Sequence, residues 1–184
     1  MIRFFDLAFS VFGLIFLSPL LLVVCVLGIF DTGSPFFRQI RVGKDMHPFT
    51  LIKFRTMRPE TESVATHLAD PGSVTRLGFF LRRTKLDELP QLWNVLRGDM
   101  SLVGPRPCLY NQQELLKERQ ALAVFAVRPG ITGLSQILCI DMSTPKLLAE
   151  TDAKMLKNLN LKTYFLYIIK TVLGGGSGDR LRKN

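Results

Sequence analysis

The chain has 184 residues, of which 47% are hydrophobic, and a formal net charge of +9. This length suits one domain and leaves little room for two, and a nucleic-acid-binding protein of this charge is usually more polar. Cys25, Cys108 and Cys139 form no CxxC pair, which argues against a zinc site or a disulfide scaffold and fits a reducing compartment. The composition favours contact with an anionic membrane surface or with phosphorylated substrates.

An almost unbroken apolar run covers residues 7–30. As a straight helix it would be about 36 Å long, which is enough to cross a bilayer. Ser18 and Pro19 interrupt its middle, where proline bends a helix and serine can bind a carbonyl group that is left free. Arg3 precedes the run and Arg38 follows it, so the positive-inside tendency keeps both ends in the cytoplasm. We therefore favour a re-entrant helix over a straight crossing.

Two short strands are predicted next, over residues 36–42 and 49–57, and the connection between them predicts a hairpin. Alternation in the second strand places Lys53 and Arg55 on one face, where they could bind phosphate; a solvated basic face is the alternative. Residues 58–75 are polar and contain two prolines, which predicts a surface loop that could close over a site.

The stretch from 82 to 107, RRTKLDELPQLWNVLRGDMSLVGPRP, is the most unusual part of the chain. A short helix is predicted over residues 86–97, with Pro90 in its first turn and Gly98 as its stop. Asp87 and Glu88 would then lie at the helix start, where the backbone favours negative charge and phosphate binding. The structural alternative makes them only an N-cap and a first-turn acid. The apolar face of the predicted 86–97 helix consists of Leu89, Leu92, Trp93 and Leu96.

The C-terminal half predicts helices over residues 112–127, 147–159 and 161–173, with a partly extended segment over 131–137. The last helix carries aromatic rings between lysines, which is typical of a helix in the membrane interface; a core helix is the alternative. Residues 174–184 are rich in glycine and arginine and predict a flexible basic tail.

These motifs resemble the bacterial polyprenyl-phosphate phosphoglycosyl transferases of the small monotopic type. The resemblance covers nearly the whole chain: the Ser18-Pro19 segment, LIKFRTM at 51–57, the central stretch from Leu81 to Pro107, and RPGITGLSQ at 128–136. Two departures stand out. Leu134 occupies a position that is commonly aromatic in the family, and residues 138–145 follow no general family pattern, so this region could bear on the choice of sugar.

The resemblance implies an α+β fold with three parts. Residues 1–32 would form the re-entrant membrane helix, residues 33–173 a small compact α/β catalytic domain with interfacial amphipathic helices, and residues 174–184 the tail. It also implies transfer of a sugar-1-phosphate from a UDP-sugar, with an N-acetylated sugar as the leading candidate, to polyprenyl phosphate. UMP would be released at the cytoplasmic face of the bacterial inner membrane, in the first membrane step of lipopolysaccharide, capsule or glycoprotein assembly.

Site residues are carried over from the family by position. Asp87 would be the nucleophile that forms an aspartyl-phosphosugar intermediate, and Glu88 its partner acid. Mg²⁺, with Asp87 as a ligand, is the expected cofactor because it offsets diphosphate charge. Membrane lipids are expected partners and nucleic acid is not. The residues expected to bind substrate phosphate or nucleotide are Lys53, Arg55, Arg82, Arg106 and Arg128.

Two other classes of function compete with this interpretation. A glycosidase also uses two carboxylates, but they must flank the scissile bond at about 5 Å or more. Adjacent residues at a helix start do not readily achieve this separation. A basic module that docks on anionic lipid or nucleic acid explains the charge, but it leaves Asp87, Glu88 and the Pro105-Arg106-Pro107 turn without a role.

Overall fold

A computed structural model of the chain describes residues 1–61 and 71–176. Half of the predicted 58–75 loop and most of the predicted tail lie outside these ranges. The predicted mixture of helices and strands is confirmed. The helices are α1 (Ile2–Phe16), α2 (Ser18–Thr32), α3 (Arg76–Thr84), α4 (Gln91–Arg97), α5 (Gln113–Ala121), α6 (Leu134–Ile137), α7 (Pro145–Lys157) and α8 (Leu161–Val172). The strands are β1 (Phe36–Val42), β2 (Pro48–Phe54), β3 (Ser101–Val103) and β4 (Gly130–Thr132).

The N-terminal apolar run folds as two helices that are bent by 64° at the break between them. Pro19 lies in the first turn of α2, where its missing N–H needs no helical acceptor. The Ser18 hydroxyl donates to the Ile15 carbonyl at 2.7 Å. The predicted bend at Ser18-Pro19 is therefore confirmed. Within the described ranges, no single helix has the length and hydropathy to cross a membrane, whereas the bent pair passes that test as a unit.

Both N-terminal helices leave large apolar side chains exposed. Phe12, Ile15, Leu22 and Phe30 are each more than 60% exposed. Exposed apolar side chains in such numbers are typical of a surface that contacts a membrane or another protein.

The predicted hairpin is confirmed. β1 and β2 pair antiparallel, with Phe37 opposite Lys53 and Arg38 opposite Ile52. Because successive side chains of a strand point to opposite faces, Leu51 and Lys53 lie on one side of β2, and Ile52 and Phe54 lie on the other. Residues opposite each other in the hairpin share a face.

The second sheet is a short parallel pair, β3 and β4. The main core cluster packs around it and includes Val95, Met100, Val103 and Met155. Parallel strands need a long crossover connection, which here contains α5. This arrangement brings residues 104–107, which follow β3, next to residues 128–130, which lead into β4.

Helix α8 has features of both predicted alternatives, the core helix and the interfacial helix. Tyr164 and Tyr167 are buried in the main core cluster, as the core alternative predicts. Leu166, Ile169 and Val172 are exposed on the other side. The helix therefore has a core face and a separate apolar surface.

The helix predicted over residues 112–127 is shorter than expected. α5 stops at Ala121, and Ala123 adopts a left-handed conformation with φ 53°, which a right-handed helix cannot contain. Leu122 is 41% exposed. The chain continues as a 3₁₀ turn over Val124–Ala126. Apolar spacing overestimated this helix because the turn also buries Val124.

Candidate active site

Asp87 and Glu88 lie in a 3₁₀ turn, Leu86–Glu88, that connects α3 to α4. The prediction of one continuous helix over 86–97 is therefore wrong in its first part, because α4 begins only at Gln91. Its predicted stop is confirmed, since Gly98 caps α4 in the left-handed conformation with φ 93°. Asp87 is 1% exposed, whereas the Glu88 side chain is partly exposed. The two acids therefore occupy different environments.

Asn94 fixes α4 along the outer edge of β2. Its side-chain amide donates to the Thr50 carbonyl at 2.7 Å, and its Oδ1 accepts from the Ile52 N–H at 3.1 Å. These are backbone groups that an edge strand otherwise leaves unpaired. The turn that carries Asp87 and Glu88 is thus held beside β2.

This position of α4 corrects the apolar face predicted for it. The buried residues are Gln91, Asn94 and Val95, and Trp93 is 52% exposed. A buried asparagine is stable here because both ends of its amide are hydrogen-bonded. Spacing of apolar residues alone could not reveal that a polar side chain would take the buried position.

The GPRP motif at 104–107 and the RPG motif at 128–130 cross each other with their backbones in direct contact. The Gly104 N–H donates to the Thr132 carbonyl at 2.9 Å, and the Gly130 N–H donates to the Pro105 carbonyl at 2.8 Å. A Cβ added at Gly130 would lie 2.0 Å from the backbone nitrogen of Gly104. Glycine is therefore required for space, and the crossing fixes the turn that carries Arg106.

A cleft collects polar side chains from four separate parts of the sequence. It is lined by Arg41, Leu51, Lys53, Glu88, Gln91, Arg106, Pro107, Gly130 and Ile131. The guanidinium of Arg106 lies 3.6 Å from the Glu88 carboxylate. Three cationic side chains against one lining carboxylate give the cleft a net positive charge, which suits an anionic substrate.

Arg41 and Gln91 are cleft residues that the sequence interpretation missed. Arg41 is 6% exposed and donates to the Pro107 carbonyl at 3.1 Å. It lies opposite Phe49 in the hairpin and therefore shares the face of Lys53. Alternation of side chains in the first strand could therefore have indicated that Arg41 lies on the face of Lys53.

Arg106 is also supported from behind by a buried network that the sequence did not suggest. Arg119, which is 1% exposed, donates to the Arg106 carbonyl at 2.8 Å and to the Asp152 carboxylate at 2.6 Å. Asp152 in turn accepts from the Ser135 hydroxyl at 2.7 Å. The pKa of the Asp152 carboxyl group is raised, because burial raises it more than Arg119 and Ser135 lower it. The network joins α5 and α7 to the cleft wall.

Three of the predicted phosphate-binding residues do not line the cleft. Arg55 donates to the carbonyls of Ser34 and Phe36. Arg82 is buried and donates from Nε to the Thr56 hydroxyl at 2.8 Å.

Arg128 is exposed and donates to the Gly98 carbonyl at 2.7 Å. The structure thus brings Lys53, Glu88 and Arg106 together and places Arg55, Arg82 and Arg128 elsewhere. Phosphate binding by these three arginines stays a prediction.

Asp6 anchors α1 to the rest of the chain, although the predicted membrane run began after it. Its carboxylate accepts from the Ser101 hydroxyl, the Leu102 N–H and the Tyr164 hydroxyl, each at 2.9 Å. Burial and the adjacent Asp6 charge raise the pKa of Tyr164, so this hydroxyl remains a donor. Arg3 adds a bond of 2.6 Å to the Val95 carbonyl. The N-terminal helix is therefore held against β3, α4 and α8.

Magnesium binding stays a prediction, and the two acids of the site would need substrate phosphates and water as further ligands. Mg²⁺ usually takes one or two protein carboxylates together with substrate phosphates and water. Across residues 1–61 and 71–176, no group of three or more His, Cys, Asp or Glu side chains could hold a metal. Asp87 and Glu88 suit the shared arrangement, because a site formed by protein alone would need more ligands.

Comparison with known proteins places the motifs of this cleft in a known context. The model of the bacterial sugar transferase family matches residues 1–175. An uncharacterized sugar transferase of Bacillus subtilis, EpsL, is 46% identical over 136 residues, which are 73% of this chain and 67% of that protein.

Two relatives have names that state a reaction. A UDP-N-acetylgalactosamine-undecaprenyl-phosphate N-acetylgalactosaminephosphotransferase of Aeromonas hydrophila is 35% identical, over 92% of this chain and 42% of that protein. A UDP-glucose:undecaprenyl-phosphate glucose-1-phosphate transferase of Caulobacter vibrioides is 42% identical, over 67% of this chain and 48% of that protein. The chain spans less than half the length of either.

Proposed function

The chain belongs to the bacterial sugar transferase family, a family of enzymes, and we propose that it transfers a sugar-1-phosphate from a UDP-sugar to polyprenyl (undecaprenyl) phosphate, with release of UMP. The observation that carries this proposal is the cleft, where Lys53, Arg106 and Glu88 meet although they are far apart in sequence. The Aeromonas and Caulobacter relatives are named for this type of reaction. We propose an N-acetylated sugar for this chain.

The first step is attack by an Asp87 carboxylate oxygen on the sugar-bearing phosphorus. A new O–P bond forms as the bond to the bridging oxygen breaks, and UMP leaves with that oxygen. The product is an aspartyl-phosphosugar. Because Asp87 is nearly buried, substrate binding has to expose its carboxylate to the phosphorus. The same burial would shield the intermediate from water.

The second step regenerates the enzyme. A phosphate oxygen of the polyprenyl phosphate attacks the same phosphorus, and the Asp87–phosphorus bond breaks. The lipid then carries a diphosphate-linked sugar, and Asp87 is again a free carboxylate.

The cleft cations stabilise the negative charge that both steps place on the phosphoryl oxygens. Arg41, Lys53 and Arg106 line the space beside Glu88, and arginine suits two phosphate oxygens at once. Glu88 fixes the guanidinium of Arg106 from 3.6 Å, which gives the partner acid a positioning role.

Magnesium would be held by Asp87, Glu88 and substrate phosphates. When bound, it would supply positive charge that offsets the diphosphate and the leaving UMP.

The bent helix pair would place the cleft at a membrane surface. Its exposed apolar side chains and the exposed side of α8 suit contact with lipid. We propose the cytoplasmic face of the bacterial inner membrane, where UDP-sugars and the lipid acceptor meet. The reaction would be the first membrane step of a lipopolysaccharide, capsule or glycoprotein glycan.

The geometry disfavours the two competing classes of function. Asp87 and Glu88 are adjacent in one short turn, whereas a glycosidase needs its two carboxylates on either side of the scissile bond. A docking module does not require the buried Arg119–Asp152 pair behind Arg106.

A UMP-release assay tests the proposed reaction. The purified chain is incubated with a panel of UDP-sugars, with and without polyprenyl phosphate, and then with a chelator. Sustained UMP release is expected only with the acceptor, it should fall on chelation, and no free sugar should appear. Free sugar in the absence of lipid product, or no UMP with any donor, would contradict the proposal.

A further inference from the structure

A second pocket, separate from the cleft, lies between the bent helices and the hairpin. Its volume is about 280 Å³, and its lining includes Leu14 and Leu21 from the two sides of the bend. The stacked rings of Phe36 and Phe54 form another part of its wall. One water molecule occupies roughly 30 Å³ in the liquid, so the pocket can hold a segment of an apolar chain.

Arg38 is the one charged residue among those that line this pocket. It lies opposite Ile52 in the hairpin and two residues after Phe36, so the three side chains share one face. Its guanidinium is exposed and has no hydrogen bond or ion pair with any residue of the 1–61 and 71–176 ranges. The pocket therefore combines apolar walls with one available cation.

The pocket and the cleft lie on opposite sides of β2. Ile52 and Phe54 line the pocket, whereas Leu51 and Lys53 line the cleft. A ligand whose phosphate lies beside Glu88 would therefore not place that phosphate on Arg38. This separates the pocket from the site of phosphoryl transfer.

We propose that the pocket binds one acyl chain of an anionic membrane phospholipid, whose phosphate pairs with Arg38. Alkyl chains match the apolar walls, and a guanidinium pairs with phosphate oxygens by charge-assisted hydrogen bonds. Leu14 and Leu21 belong to the helix pair with the exposed apolar surface. The inference does not rest on the proposed reaction, and shares with it only the membrane contact of α1 and α2.

The single tryptophan of the chain provides a direct reporter, because Trp93 lines this pocket. The full chain is placed in phosphatidylcholine vesicles that contain a minor fraction of phosphatidylglycerol, with bromine on the chains of either lipid in turn. Brominated phosphatidylglycerol should quench Trp93 emission at about tenfold lower mole fraction than brominated phosphatidylcholine, as one charge-assisted contact implies.

Two pairs of variants test the two halves of the site. Arg38→Gln should abolish the preference for phosphatidylglycerol, whereas Arg76→Gln, an equal charge loss at an exposed arginine outside the pocket, should retain it. Leu14→Phe should fill the pocket and weaken quenching by both lipids. Ile15→Phe, one residue further along and 69% exposed, should not.

Two results would overturn the proposal. Equal quenching by the two lipids, unchanged in Arg38→Gln, would show that no phosphate pairs with this residue. Relief of quenching by polyprenyl phosphate at a lower mole fraction than by unbrominated phosphatidylglycerol would assign the pocket to the acceptor. The UMP-release assay is independent, so failure here and failure of the proposed reaction are distinguishable.

Discussion

The two sides of β2 differ more than any other pair of neighbouring surfaces described above. On one side Leu51 and Lys53 face a cleft with three cationic residues; on the other, Ile52 and Phe54 face an apolar pocket beside the bent helices. α4 continues both surfaces, since Gln91 lines the cleft and Trp93 lines the pocket. A single layer of backbone thus separates the proposed phosphate site from the proposed lipid site.

This difference shows how so short a chain can present two chemically different binding surfaces. Side chains alternate along a strand, so one hairpin supplies two unlike walls without a second domain. The cost is that both walls depend on the same backbone, and disturbing that backbone should affect both.

The largest effect is expected where the cleft side is fixed by backbone contact. Gly130→Ala would place a Cβ 2.0 Å from the Gly104 nitrogen, and neither backbone can move without breaking the β3–β4 pair. We expect a loss of more than about 4 kcal/mol of stability or failure to fold, measured by denaturant unfolding and by the yield of folded protein.

Gly13→Ala is the matched control, because its Cβ would meet only the end of the Leu92 side chain at 3.0 Å. A Gly130→Ala protein as stable as this control would contradict the close crossing.

The attachment of the membrane helices comes next in expected effect. Asp6→Asn removes the charge that accepts from Ser101, Leu102 and Tyr164, and hydrogen bonds to charged groups contribute more than neutral ones. We expect a loss of about 3 kcal/mol and faster proteolysis between α1 and the rest of the chain. Asp31→Asn, the same change at an exposed residue of α2, should have little effect; equal losses would contradict the anchor.

Within the cleft, Arg106 should matter more than the arginine of the neighbouring motif. Arg106→Gln should lower kcat/KM by about 100-fold, the effect typical of losing one donor to a developing oxyanion. Arg128→Gln should change it little, because Arg128 points to the Gly98 carbonyl. Steady-state UMP release measures both, and an equal loss in Arg128→Gln would show that this residue binds phosphate although it lies outside the cleft.

The smallest effect separates the two basic residues of β2 and the segment after it. Lys53→Met should raise the KM for the UDP-sugar about tenfold, which corresponds to about 1.4 kcal/mol of binding. Arg55→Met should leave KM unchanged, since Arg55 binds the carbonyls of Ser34 and Phe36. Equal KM values for the two variants would show that lining the cleft does not determine substrate binding.

Local patterns predicted the elements whose causes are local. Pro19 and Ser18 set the bend, Gly98 stops α4, and alternation gives the hairpin. The helix α3 was missed because it follows directly from a polar loop and because its last turn carries the motif arginines Arg82 and Arg83.

Contacts between distant segments could not be read in the same way. Nothing near Asn94 shows that it will pair with the backbone of β2, and nothing near Arg119 shows that it will bind the Arg106 carbonyl. The resemblance located Asp87 and Glu88, but only the fold separates the cleft residues Lys53 and Arg106 from the arginines that lie outside it.

The covalent role of Asp87 is the central claim, and intact-protein mass spectrometry tests it most directly. The purified chain is incubated with a UDP-sugar and Mg²⁺ but without lipid acceptor. We expect a mass gain of one sugar-phosphate that is absent in Asp87→Asn and is removed on addition of polyprenyl phosphate. No gain with any UDP-sugar, together with UMP release only when the acceptor is present, would contradict the covalent intermediate and indicate direct transfer.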